Sequence, residues 1–251
     1  MLKNYFAIAL RNIRQNPLYA FINIFSLAIG LAACLVIYLF ISDEKSFDAF
    51  HTKSDVIYRL DEVQSFPGTN EQKVALSMPG MGPAIRKEFP EVISYTRFVN
   101  RRNQLVIKDD KKLLLPSIAY ADSAFLEIFD FELISGDRKT ALYQPYTLLL
   151  TEETALKFFN STQEAVGNSL TWREKEFKIV GILKNVPENS HMQFSALSSV
   201  ATILAEDKEY NDRWGGNSLN TYFVLNPNTN IAEMEAKFPA FMSRHMDNPH
   251  K

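Results

Sequence analysis

The side chains best able to do chemistry here are four histidines and one cysteine, and their spacing speaks against it. His51, His191, His245 and His250 are scattered, with no second ligand type four residues away as a zinc site on a helix would need. No GxxxxGK[ST] loop is present to cradle a nucleotide's phosphates, and Gly80 and Gly82 precede Pro83 without the third glycine of a dinucleotide fingerprint. There is no GxSxG elbow. Cys34, the single cysteine, lies inside an apolar run, so no disulfide can form within the chain. Asp and Glu are plentiful, but nothing in the sequence pairs two of them as acid and base. Asn160-Ser161-Thr162 is a formal glycosylation acceptor, and Trp172 and Trp214 read as core or edge residues. The expectation is a protein that is not an enzyme, with no catalytic residue, cofactor or metal. Binding, scaffolding and force transmission remain.

The apolar run around Cys34 is the strongest feature. Residues 18–42 read LYAFINIFSLAIGLAACLVIYLFIS without a charge. A bilayer core of ~30 Å needs about 20 helical residues, so these 25 span it with about a turn to spare. Lys3, Arg11 and Arg14 precede the run and Asp43 and Glu44 follow it, which puts the N-terminus in the cytoplasm and residues 43–251 outside. Leu31-Ala32-Ala33-Cys34 also fits a lipoprotein cleavage box, but the run stays apolar for seven residues after Cys34, where a mature lipoprotein turns polar.

Upstream, Leu2, Phe6, Leu10 and Ile13 recur at helical spacing, while Arg11 and Arg14 take other faces. Residues 1–17 therefore read as an amphipathic elbow helix lying at the cytoplasmic interface, broken at Asn16-Pro17; a plain basic flank is the alternative. Within the span, Ser26, Gly30 and Cys34 repeat every four residues and form a small-residue face for helix packing.

Beyond residue 42 the chain holds 24 of the 27 Lys and Arg and all 29 Asp and Glu, a net charge of −5. An acidic domain is no partner for nucleic acid. Strands are expected at 55–64, 92–99, 104–108, 112–120, 147–150 and 221–225, with a hairpin of 168–172 and 176–183. A loop is expected at 65–70. Helices are expected at 79–89, with Pro79 in its first turn, after caps at Asp122-Ser123 and at Thr151, and over 231–246 with Ile231, Met234, Phe238, Phe241 and Met242 inward. Interspersed strands and helices with hairpins make this an α+β domain.

Several segments resemble a known family in order and spacing. ALRNIRQNPLYAFINIFSLAIGLAACLVIYLFISDEKSFDAFH is similar to the N-terminus of ABC transporter permeases of the MacB/FtsX type. VIYRLDEV, LSMPGMGPAIRKEFPEV, YADSAFLEIFDFELISGD, LLLTEETALKFF and FKIVGILKNVPENSHMQFSALSS resemble segments of the MacB-like periplasmic core domain. The resemblance covers about residues 1–245. It implies an inner-membrane permease that dimerises with itself or a relative, binds a cytoplasmic ABC ATPase, and meets a periplasmic adaptor or substrate. It further implies one N-terminal transmembrane helix followed by a mixed α/β domain, with a porter-like part at 54–110 and 190–246 and an inserted sabre-like part at 111–189. The sequence ends at Lys251, before a second span, so on this reading it is a fragment, a truncated frame or a degenerate copy of a permease. A stand-alone anchored binding or sensor protein is the alternative. Nothing in the residues selects a substrate.

Overall fold

The computed structural model describes residues 2–64, 68 and 70–246. The side chains of Leu2, Phe6 and Leu10, residues 65–67 and 69 of the expected loop, and His250 lie outside the described residues. Two compact units emerge, dividing between Ala49 and Phe50.

The first unit holds two helices, α1 (Leu2–Gln15) and α2 (Pro17–Ser46). Asn16 separates them at φ −129 and ψ 66 because the proline ring disfavours helical backbone in the residue before it, while Pro17 itself suits a first turn. None of α2 is buried, although its composition is apolar on every side. A helix of 30 residues with no core to cover is long and apolar enough to cross a membrane.

The second unit begins with a 3-10 turn at Ser54–Val56 and continues through β1 (Ile57–Arg59), β2 (Glu62–Gln64), β3 (Gln72–Val74), α3 (Met81–Glu88), β4 (Val92–Lys108), β5 (Lys111–Ala121) and α4 (Phe125–Ile128). Then come β6 (Leu133–Ser135), β7 (Thr147–Thr151), α5 (Glu152–Phe158), α6 (Thr162–Ala165), β8 (Ser169–Trp172), β9 (Lys175–Leu183), β10 (Ala196–Ser199) and α7 (Val200–Glu206). A second 3-10 turn (Tyr210–Asp212), β11 (Asn220–Leu225), α8 (Ile231–Glu235) and α9 (Phe238–Met246) complete it.

Among the described residues nine strands form one mixed sheet in the order β1-β11-β4-β5-β10-β7-β9-β6, with β8 against β4 and β9. β2 and β3 pair separately. Most neighbours are antiparallel, but β10 runs parallel to β5 and β7 parallel to β9. One face carries α5 and α7 over Trp172, Phe177, Tyr120 and Leu150. An aromatic cluster of Phe98, Phe125, Phe129, Phe131 and Phe194 fills another region of the core. A third cluster joins α3, α8 and α9 to β11 through Met81, Ile85, Phe89, Phe223 and Phe241.

Several expectations change. The strand expected at 55–64 is split, with Leu60 and Asp61 between β1 and β2, because its second half leaves the large sheet to pair with β3. The strands expected at 92–99 and 104–108 are one, β4, bent where Asn103 takes φ 53 opposite Pro116, which has no N–H to give. Pro79 precedes α3 rather than opening it, since Gly80 caps the helix and donates its N–H to Arg213 O. α4 has no side-chain cap; Asp122 is taken by an arginine instead. The helix expected over 231–246 divides into α8 and α9 around Ala236 and Lys237, and its apolar residues still face inward. Thr151 caps α5 as expected, accepting from Thr154 N at 3.3 Å.

Candidate functional site

The folded domain has two chain ends, each held by different chemistry. At the incoming end His51 is buried, with Phe129 and Phe131 at 5.0 and 5.4 Å from its ring. Its Nδ1 accepts from the Asp130 N–H at 3.0 Å. Thr52 donates its N–H and its hydroxyl to Asp130 Oδ2 at 2.6 and 2.9 Å, and Lys53 Nζ donates to Glu127 O at 2.5 Å. Partial burial works to raise the Asp130 carboxyl, but the Thr52 donors outweigh it, aided by His51 and Lys53, and hold it below its ordinary value. The stretch from α4 to Phe131 supplies all these partners because its aromatic residues bury it, leaving its polar groups at the rim.

At the outgoing end, α9 lays Phe238 and Phe241 against Phe89, 5.2 and 5.5 Å between ring centres. Glu88, the last residue of α3, accepts from Arg244 Nη2 at 2.5 Å and from His245 Nε2 at 2.6 Å. The His245 ring stacks on Trp214 at 4.1 Å. The Arg244 bond holds the Glu88 carboxyl below its ordinary value, against a smaller opposing effect of burial and with help from His245. Lys237, just before α9, pairs with Glu91.

Between these ends sits Arg97 on β4, 1% exposed. Its Nε and Nη2 donate to the two Asp122 carboxylate oxygens at 2.9 and 2.7 Å, and Nη1 donates to Asn211 Oδ1 and Pro79 O at 2.7 and 3.0 Å. The rings of Tyr95 and Tyr210 lie 5.9 and 5.6 Å from the guanidinium carbon. Burial works to discharge Arg97, but the Asp122 bonds and charge overcome it and raise its pKa. Asp122 leads into α4, which grips the incoming end, and Pro79 leads into α3, which grips the outgoing one. Arg97 therefore ties the supports of both ends to one strand. A lone arginine between Thr96 and Phe98 in an apolar strand was the only trace of this in the sequence.

The elbow residues Arg11, Ile13 and Arg14 are exposed on α1. Ser26, Gly30 and Cys34 are exposed along α2, and a Cβ placed on Gly30 would meet nothing within 4 Å. Trp172 is core and Trp214 is half-buried beside Phe241. His191 lies 2.6 Å from the Tyr222 hydroxyl, far in sequence from His51 and His245. Among the described residues no three His, Cys, Asp or Glu side chains converge as metal ligands would.

An apolar helix long enough to cross a membrane is thus followed by an α/β domain whose best-built polar clusters fix its own chain ends. The chain belongs to the family of the MacB-like periplasmic core domain, whose family model matches residues 20–241. Among solved structures it is similar to a domain described as that of a permease protein from Porphyromonas gingivalis, with 25% identity, a TM-score of 0.68, and 79% of this chain and 85% of that one covered. The periplasmic region of MacB from Actinobacillus actinomycetemcomitans shares the fold at 11% identity, with a TM-score of 0.54 and coverage of 76% and 84%. No curated protein matches the sequence.

Proposed function

We propose that the chain is a permease component of an ABC-type export or mechanotransmission complex, in which ATP hydrolysis by a cytoplasmic partner moves the folded domain outside the membrane. The family match carries this reading, because it takes in most of the apolar helix together with the domain. The charges flanking α2 support a cytoplasmic N-terminus. On this reading α1 is the elbow at the cytoplasmic face, with Leu2, Phe6, Leu10 and Ile13 toward lipid and Arg11 and Arg14 toward headgroups or the ATPase. Ser26, Gly30 and Cys34 let a second permease helix, from a copy or a relative, approach closely.

The porter-like part at 54–110 and 190–246 and the insertion at 111–189 belong to the same proposal. In the sheet that division puts β1, β11 and β4 at one end and β7, β9 and β6 at the other, with β10 of the porter-like part interleaved between β5 and β7 of the insertion. Displacement of the incoming segment would pull on α4 through Asp130 and Glu127, and Arg97 would pass the load to the α3 side. A periplasmic adaptor or substrate would be moved, with no chemistry done on it by this chain.

The test is co-expression with each ABC ATPase of the source organism in turn and reconstitution in nanodiscs. The ATPase should co-purify, and Arg11→Glu with Arg14→Glu should lower its hydrolysis rate several-fold. No association would replace this reading with a stand-alone anchored binding protein. For orientation, Glu174→Cys in a Cys34→Ser background should react with a membrane-impermeant maleimide in intact spheroplasts; labelling only after lysis would reverse the topology.

A further inference from the structure

Among the described residues the sheet ends on β1, with its outer edge unpaired by any strand. Leu60 donates its N–H to Thr221 O at 2.9 Å, in register with the pairs Tyr58–Phe223 and Arg59–Tyr222. In an antiparallel ladder the bonded residues alternate. Tyr58 and Leu60 therefore bond to β11, and Ile57 and Arg59 turn their N–H and C=O groups away from the sheet. Among the described residues no strand lies on that side.

Beside this edge runs a groove of about 660 Å³. Its lining includes Tyr58 and Leu60 at the strand, Phe238 and Met242 of α9, and the buried Ile85 and Phe223. The volume falls within the range of ligand pockets, about 300–1,000 Å³. Side chains alternate across a strand: Ile57 packs into the aromatic cluster and Leu60 into the cluster of α3 and α9. A strand laid beside β1 would thus put every second side chain into the groove.

The charges at the groove select the ligand further. Arg59 is committed to Asp61 at 2.8 Å. That leaves Glu62 on the strand side and Glu235 on the helix side, both lining the groove. Burial raises the Glu62 carboxyl above its ordinary value, against the opposing bonds from Asn217 and Gln64, so its charge would gain from a nearby cation.

We infer that this groove binds an extended segment of a partner protein, added as a strand to β1, with alternate apolar side chains in the groove and basic residues beside Glu62 and Glu235. Main-chain bonds to Ile57 and Arg59 give such a complex its register, and the groove gives it selectivity. The inference does not depend on coupling to an ATPase.

The probe is a short fluorescent peptide in which valine and leucine alternate with lysine and threonine. It is titrated by anisotropy against the full chain in phosphatidylcholine nanodiscs, with empty discs subtracted. Saturable binding is expected. N-methylation of one alternate set of peptide amides should weaken it at least about tenfold and of the other set far less, because only one set faces β1. Met242→Glu, and Glu62→Lys with Glu235→Lys, should each weaken it about tenfold at unchanged circular dichroism. Binding indifferent to both N-methylation patterns, or to Met242→Glu, would overturn the inference. So would occupation of the groove by laurate without peptide binding, or self-association of the chain that Met242→Glu abolishes while no peptide binds.

Discussion

The incoming and outgoing ends of the folded domain are secured by different polar chemistry. His51 is buried among aromatic rings, and its neighbours Thr52 and Lys53 bond to one short stretch of chain. The outgoing α9 buries Phe241, but its polar ties are to Glu88 and Glu91 at the surface, where the Arg244 and Lys237 side chains are 58% and 51% exposed. Surface ion pairs contribute little after solvent screening, whereas a buried ring or a satisfied buried donor contributes several times more. Each end thus keeps a buried ring, and the two differ in their polar ties: hydrogen bonds to one short stretch of chain at the incoming end, surface ion pairs at the outgoing one.

The sharpest challenge to this contrast is Asp122→Ala, which strands Arg97 in the interior and removes the tie behind both ends. It should cost about 3–5 kcal/mol in chemical denaturation of the full chain in detergent, and a loss near that of a surface pair would remove Arg97 from its proposed position. Phe131→Ala, in the packing around His51, should cost about 3 kcal/mol. Asp130→Ala should cost about 1–2 kcal/mol, since it removes two hydrogen bonds from Thr52 to a charged carboxylate. Glu88→Gln, at the outgoing end, should cost no more than about 1 kcal/mol, and an equal or larger loss than Asp130→Ala would invert the comparison.

The smallest effect is with pH. Asp130 and Glu88 both have carboxyls held below their ordinary values in the folded chain. Each therefore stabilises the fold fully above the ordinary carboxylate range and loses that contribution as pH falls through its lowered value. The stability gap between wild type and Asp130→Ala should be flat above about pH 5 and close in acid; a gap that widened in acid would contradict the sign. Hydrogen-exchange protection of α9, taken relative to the intrinsic amide rate at each pH, should fall on acidification with little change in β4 and β5.

Much of the fold could be read directly. The uncharged run at 18–42 lies within α2, Asn16-Pro17 separates α1 from α2, and Thr151 caps α5. The hairpin of β8 and β9 turns at Arg173 and Glu174, both at positive φ without a glycine. β10 escaped notice because its four residues, Ala196–Ser199, are all buried between two strands and show no alternation. The joining of two expected strands into β4 was hidden because Asn103 interrupts the pattern without ending the ladder.

Local order along the chain thus determined what depends on near neighbours: helix breaks, caps, turns, and a helix too apolar for water. Tertiary structure alone decided which side chains meet. Glu88 and His245 are 157 residues apart, His51 and the Asp130 N–H 79, and Arg97 and Asn211 114. A charge among apolar residues signals that it has a partner, but only the sheet order brings that partner within reach. The unpaired edge of β1 is decided in the same way, because whether a strand ends a sheet depends on what every other strand pairs with.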